Sequence, residues 1–181
     1  NVYGLLDLLH MQDAFNGLSD YDAVMMFDIG LYQSSLNVIT GDQSVYVRDV
    51  PIGGERLTQI IAEKKGITLA DAEKLKLSGA PDIAESIEQF VSEMNIQLQS
   101  AIDVYISNNP QITLHAMYVV GATACYSEIE QAFKAQLNDL DVITLSPDTL
   151  LDVDDKVYSK LNEASINSLT TATGLAVRGL L

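Results

Sequence analysis

The chain has 181 residues, of which 48% are hydrophobic. That suffices for one ordinary domain or two small lobes with a real core, and it argues against wholesale disorder. Ten Lys and Arg stand against 25 Asp and Glu, a formal charge of −15, which disfavours binding to a nucleic-acid backbone or unaided docking on anionic lipid.

From the start, Leu5, Leu8, Leu9 and Phe15 are spaced for a helix with one apolar face across residues 1–18, closed by Asn16-Gly17 and Ser19-Asp20. Ala23 to Phe27 is almost wholly apolar, as a buried central strand should be, and runs into Asp28-Ile29-Gly30. Tyr32 to Thr40 meets Gln43 to Val50 across Gly41-Asp42, a hairpin signature. Gly53-Gly54 then opens a helix from Glu55 to Lys65, with Leu57, Ile60 and Ile61 on one face and Gly66 at its end. Thr68 to Asp71 resembles a capping box for a short helix through Leu77, and Ser78-Gly79-Ala80-Pro81 is a loop.

Ala84 to about Ser107 carries the longest regular pattern. Ile87, Phe90, Val91, Met94, Leu98, Ala101, Ile102 and Tyr105 fall at three- and four-residue steps, and Asn108-Asn109-Pro110 stops the helix. Ala116 to Val120 is a second buried strand, leading into Gly121-Ala122-Thr123-Ala124. Ser127 to Glu130 has the form of a capping box opening a helix faced by Ile129, Ala132, Phe133 and Leu137. Asp141 to Leu145 is a short strand, and Ser146 to Lys156, with Asp148, Asp152, Asp154 and Asp155, is an acidic loop. Ile166, Leu169, Thr173, Ala176, Val177 and Leu180 mark a last helix. A three-strand meander followed by strands alternating with helices implies an α/β fold, a mixed sheet with flanking helices. A plain Rossmann half fits less well, because the meander replaces the first crossover.

Two loops follow buried strands, Asp28-Ile29-Gly30 and Gly121-Ala122-Thr123, and open α/β sheets bind ligands at such carboxyl ends. A carboxylate and a glycine there can hold a metal-bound water and admit a phosphate to the backbone. Both loops can equally be plain tight turns. His10 and His115 lie far apart, with no zinc-type spacing, and Cys125 reads as a buried structural thiol. One cysteine excludes an intramolecular disulfide and fits a reducing compartment. There is no signal-peptide pattern and no apolar run near the roughly 20 residues of a membrane helix.

The order of buried strand, Asp-x-Gly, hairpin, double glycine and helix resembles the second phosphate-binding segment of the actin-like ATPase superfamily. Residues 28–61, DIGLYQSSLNVITGDQSVYVRDVPIGGERLTQII, are most similar to PilM-type type IV pilus assembly proteins, which are related to FtsA. AEKLKLSG (72–79), YVVGATA (118–124) and TGLAVRGL (173–180) resemble further segments of that family, so the likeness covers nearly the whole chain. It implies one lobe of an actin-like (ribonuclease H-like) fold: a connecting helix at 1–22, the second lobe at 23–54 and 81–181, and a small helical inserted subdomain at 55–80. Because residues 1–9 resemble the stretch just beyond the first lobe, and the chain begins with Asn, it implies the C-terminal half of a longer protein.

For the site, the resemblance implies a nucleotide position at Asp28, Gly30, Ser34, Gly53, Gly54, Glu73, Lys76, Gly121, Ala122 and Thr123. Asp28 would hold Mg²⁺ through water, Ser34 and Ser35 stand where the family has a hydroxyl pair, and ATP with Mg²⁺ would be the cofactor of the full-length protein. Read from the residues alone, Glu73 and Lys76 are better explained as solvated helix charges. Leu31-Tyr32 stand where the family has small residues after Asp-x-Gly, and Ser127-Glu128 replaces a Pro-Gly. The implied function is a cytoplasmic scaffold, peripheral to the bacterial inner membrane through a PilN-type partner whose groove belongs to the other half. It would act through a binding state, since no general base is identifiable. Alternatives are a sugar- or acetate-kinase-type phosphotransferase of the same superfamily, or a secretion-system relative that has lost nucleotide binding. The apolar faces around Leu5 and Leu9 and around Leu169 and Val177 are expected to order against each other or to form a dimer contact.

Overall fold

A computed structural model describes residues 2–41, 43–79, 81–137, 140–151, 160 and 163–179. Asp42, Ala80, Asp152, Asp154, Asp155, Lys156 and Leu180, named in the expectations above, lie outside the described residues. Five strands form one mixed sheet in the order β3-β2-β1-β4-β5. They are β1 (Asp22–Ile29), β2 (Ser34–Thr40), β3 (Gln43–Val50), β4 (Thr113–Val120) and β5 (Asp141–Thr144). The meander β1-β2-β3 is antiparallel, while β1-β4 and β4-β5 are parallel.

Ala23 to Phe27 of β1 are all apolar because helices cover both faces of the sheet at its centre. Met25 and Phe27 point to one layer with Leu36, Val38, Met117 and Val119. Helices α2 (Gly54–Lys65), α3 (Leu69–Leu77), α4 (Ala84–Asn108) and α5 (Ser127–Gln136) close that layer. Val24 and Met26 point the other way, joining Ile39, Ala116, Tyr118 and Val120 beneath helix α1 (Val2–Met11). All eight residues of the stripe expected on α4 are buried. Full burial of side chains such as Phe90 or Leu98 contributes about 1.5–3 kcal/mol each, so this helix pins the meander. Leu57, Ile60 and Ile61 of α2 and Ala72 of α3 belong to the same cluster as the sheet.

Several boundaries differ from expectation. α1 stops at Met11, because Asp13 takes a left-handed φ of 52°. Ala14 N–H then donates to Leu9 O (3.1 Å) and Asp13 N–H to His10 O (3.1 Å), a Schellman stop with Asp in the usual glycine position. β1 continues through Asp28, and Leu31 to Gln33 turn before β2 begins. The Thr68 cap forms as expected, its hydroxyl accepting from Asp71 N–H at 3.2 Å. The second capping box does not form: Ser127 is already helical, and Glu130 instead accepts from Thr144 N–H (2.8 Å) and Lys134 (2.6 Å). Part of the acidic loop is the one-turn helix α6 (Pro147–Leu150).

The last helix is broken into α7 (Glu163–Ser168) and α8 (Thr170–Arg178). Its seam toward α1 runs through Thr170, Gly174 and Val177 rather than Leu169, which is exposed. The first and last helices do order against each other: a Cβ on Gly4 would lie 2.8 Å from Leu175 N, and one on Gly174 would overlap the Gly4 carbonyl.

Candidate functional site

The carboxyl ends of β1 and β4 lie side by side, with Asp28 in register with Val120. Gly121 follows at φ 106°, where a Cβ would strike Ile29 O and approach Asp28 Oδ1 to 3.1 Å. Only glycine combines that backbone with that approach. The 3-10 turn Ala122–Cys125 then carries the chain away. Above these two ends is a cavity of about 310 Å³, and Asp28, Gly30, Leu31, Gly121, Ala122 and Thr123 form its floor. Burial raises the Asp28 carboxyl above its ordinary value. Among the described residues no group donates a hydrogen bond to it. A hydrated cation would supply what that carboxylate lacks, so Asp28 fits a metal-bound water.

Glu73, Lys76 and Leu77 of α3 form one side. Lys76 is not a solvated helix charge: it is 5% exposed. Its ammonium donates to Thr58 Oγ1 (2.8 Å) and Gly54 O (3.2 Å) and pairs with Glu73 Oε2 at 2.8 Å. Burial raises the Glu73 carboxyl, but hydrogen bonds from Lys76 and Thr58 outweigh it and hold the group below the usual value. Tyr126, also lining the cavity, donates to Lys76 O at 2.6 Å, and burial pushes its phenol well above the ordinary range. The basic residue nearest the cavity is thus already engaged by the protein.

The opposite side comes from residues that sequence reasoning missed. The break between α7 and α8 turns Asn167, Ser168, Thr170 and Thr171 into the cavity. Thr170 Oγ1 donates to Asn167 O and Ser168 Oγ to Ser165 O, both at 2.7 Å. The available signal was the polar run itself, Asn167-Ser168 and Thr170-Thr171, which interrupts the apolar period.

Ser34, Gly53 and Gly54 do not line the cavity. Ser34 is buried and donates to Ile52 O at 2.7 Å. The double glycine stands behind the floor. Gly54 N–H donates to Gly30 O and Glu55 N–H to Leu31 O, both at 2.8 Å, so the start of α2 is stitched to the Gly30-Leu31 turn. A Cβ on Gly53 would sit 2.6 Å from Gly30 O, and one on Gly54 would strike Thr123 Oγ1. These glycines hold the residues that form the floor. Tyr32 is largely exposed and does not line the cavity, whereas Leu31, also largely exposed, does.

Comparison with solved structures shows an actin-like fold. A PilM–PilN type IV pilus biogenesis complex matches with a TM-score of 0.72 and 22% identity, over 97% of this chain and 51% of that one. The ethanolamine utilization protein EutJ from Carboxydothermus hydrogenoformans matches at 0.66 and 22%, over 96% and 53%. MreB5 of Spiroplasma citri, bound to AMPPNP, matches at 0.63 and 13%, over 96% and 57%. The chain spans about half the length of these proteins. A family model described as type IV pilus assembly protein PilM matches residues 8–180. On that match, which takes in both strand ends and the broken last helix, the chain belongs to the PilM family of type IV pilus assembly proteins.

Proposed function

We propose that this chain is part of a scaffold of type IV pilus biogenesis whose nucleotide state sets its contacts with inner-membrane assembly proteins. The reading is supported chiefly by the cavity at the ends of β1 and β4, which gathers Asp28, Gly30, Glu73, Lys76, Gly121, Ala122 and Thr123 from three separate segments. In it Asp28 holds Mg²⁺ through water, and the Gly121-Ala122-Thr123 turn lies against the adenosine. Gly53 and Gly54 act from behind by fixing the Gly30 turn, and Ser34 holds the Ile52 carbonyl that leads into them. The inserted subdomain at 55–80 supplies Glu73 and Lys76. A PilN-type protein is the membrane partner, by analogy with the complex named above, and places the scaffold at the cytoplasmic face of the inner membrane. Among the described residues no helix is long and apolar enough to cross a membrane, which accords with attachment through a partner.

One observation favours a second reading, a scaffold that binds no nucleotide: the Lys76 ammonium is saturated by Glu73, Thr58 and Gly54. Calorimetric titration of the natural full-length protein with ATP and Mg²⁺, beside its Asp28→Ala variant, separates the two. Loss of affinity in the variant supports the first reading. Equal affinity removes Asp28 from the site, and no heat in either protein supports the second.

A further inference from the structure

β3 is an edge strand of eight residues, and among the described residues no strand pairs with its outer side. Such an edge presents a row of unpaired N–H and C=O groups, which an extended backbone satisfies. Beside it runs α4, joined to β3 by Tyr46, whose hydroxyl reaches Ala101 O and whose ring lies 5.3 Å from that of Tyr105. Between strand and helix is a cavity of about 220 Å³, walled on the helix side by Gln97, Ser100 and Val104. Past Pro51 a second cavity of about 230 Å³ continues it to Glu93. Glu93, Gln97, Ser100 and Val104 share one face of α4. At about 1.5 Å per residue that face is about 17 Å long, the length of about five residues of extended chain.

The side chains along the groove say what kind of strand it takes. Arg48 lies opposite Leu36 on β2, on the α4 side of the sheet, and lines the groove. In a chain of charge −15 it is exposed, and among the described residues no carboxylate pairs with it. Val47 is 57% exposed on the other face, opposite Asn37, and Val104 is 51% exposed at the groove wall. We propose that the β3 edge and the α4 groove form a docking site for an extended peptide segment of another protein. The segment adds to the sheet as a sixth strand. It places an Asp or Glu against Arg48 on the α4 side and aliphatic side chains against Val47 on the other. The alternation follows from the two-residue period of the strand. A second copy of this chain is the poorer occupant, because two bodies of charge −15 repel and β3 offers one cation against its own Asp49.

The test uses this chain as bait for a displayed library of random octapeptides. Enriched sequences are expected to read apolar–acidic–apolar. A synthetic peptide of that consensus should slow amide exchange across residues 43–50, and should bind at least tenfold more weakly to Arg48→Glu and to Val104→Glu, both checked for an unchanged melt. A consensus without the alternation, equal binding to both variants, or unchanged exchange at 43–50 overturns the proposal. So does a dimer in sedimentation velocity that Arg48→Glu dissolves, which would make a second copy the occupant.

Discussion

Replacing Lys76 by Met asks whether the buried ammonium serves the fold or a ligand. The side chain is 5% exposed and makes three polar contacts, to Glu73, Thr58 and Gly54. Breaking a fully buried ion pair costs about 3–5 kcal/mol, because the orphaned charge stays out of water. Here Glu73 remains 41% exposed, so water takes up part of the loss. The appropriate scale is that of hydrogen bonds to charged groups, about 1.5–3 kcal/mol. Urea denaturation at pH 7 should therefore show Lys76→Met less stable by about 2 kcal/mol. The pH dependence adds a second check. The Glu73 carboxyl is depressed in the folded state, so its contribution is present above its unfolded value of 4.5 and is lost as pH falls through the lower folded value. Acidification through that window should destabilise the wild type and have a smaller effect on Lys76→Met, where burial works unopposed by the ammonium. A variant as stable as the wild type at pH 7, with an unchanged acid limb, would refute the structural role and leave Lys76 free to serve a ligand.

Three further substitutions test the frame around the cavity. Ser34→Ala leaves the Ile52 carbonyl without its buried donor and should cost about 1–3 kcal/mol by urea denaturation. Gly121→Ala puts a Cβ on the Ile29 carbonyl at a φ of 106°. With left-handed strain alone at about 1–3 kcal/mol, a melting temperature unchanged from wild type would contradict the close approach of the two strand ends. Gly174→Ala inserts a methyl into the Gly4 backbone and should cost at least the about 1–3 kcal/mol of core overpacking, seen as a lower urea midpoint. An unchanged midpoint would mean that the α1–α8 crossing is looser than it stands here.

The parts of the fold legible in the sequence are those set by side-chain periodicity. α4 was readable because its eight apolar residues share one stripe, and β1 because residues buried on both faces leave no alternation. The Asp-x-Gly and Gly121 ends were readable as candidates because small residues directly after apolar runs have few other uses. What the sequence concealed depends on tertiary partners. Lys76 has the local look of any helix lysine, and only the docking of α3 on the start of α2 buries it beside Thr58 and Gly54. The break at Leu169 was hidden because Ile166, Leu169, Thr173 and Ala176 keep a passable helical period across it. The constraint is the crossing at Gly4 and Gly174, which turns Thr170 inward and leaves Leu169 in solvent. Glu130 met the capping pattern, but Thr144 N–H, fourteen residues later, is the donor that takes its carboxylate.

The same geometry bears on how tightly this chain by itself can hold the proposed nucleotide. Ligand pockets occupy about 300–1,000 Å³ and bury 70–90% or more of their ligand, and the cavity here, about 310 Å³, is at the lower limit. Among the described residues the one ammonium that lines it is committed to Glu73, Thr58 and Gly54, and the carboxylate of its floor, Asp28, repels phosphate unless a cation intervenes. The charge of −15 adds a long-range penalty for a polyanion. The PilM chain to which this one is similar is about twice as long, and on the proposed reading its other half supplies the remaining donors. A melt of the isolated chain with millimolar ATP and Mg²⁺ should therefore show stabilisation well below about 2.7 kcal/mol, the amount that corresponds to ligand at a hundredfold over its Kd. The shift that does appear should be abolished by omitting Mg²⁺, which leaves the floor's carboxylate facing the phosphates, or by Asp28→Ala, which removes the cation's ligand. Stabilisation above that amount, or a shift that survives loss of Mg²⁺, would show that the cavity is sufficient without the other half and that Asp28 is not its metal ligand.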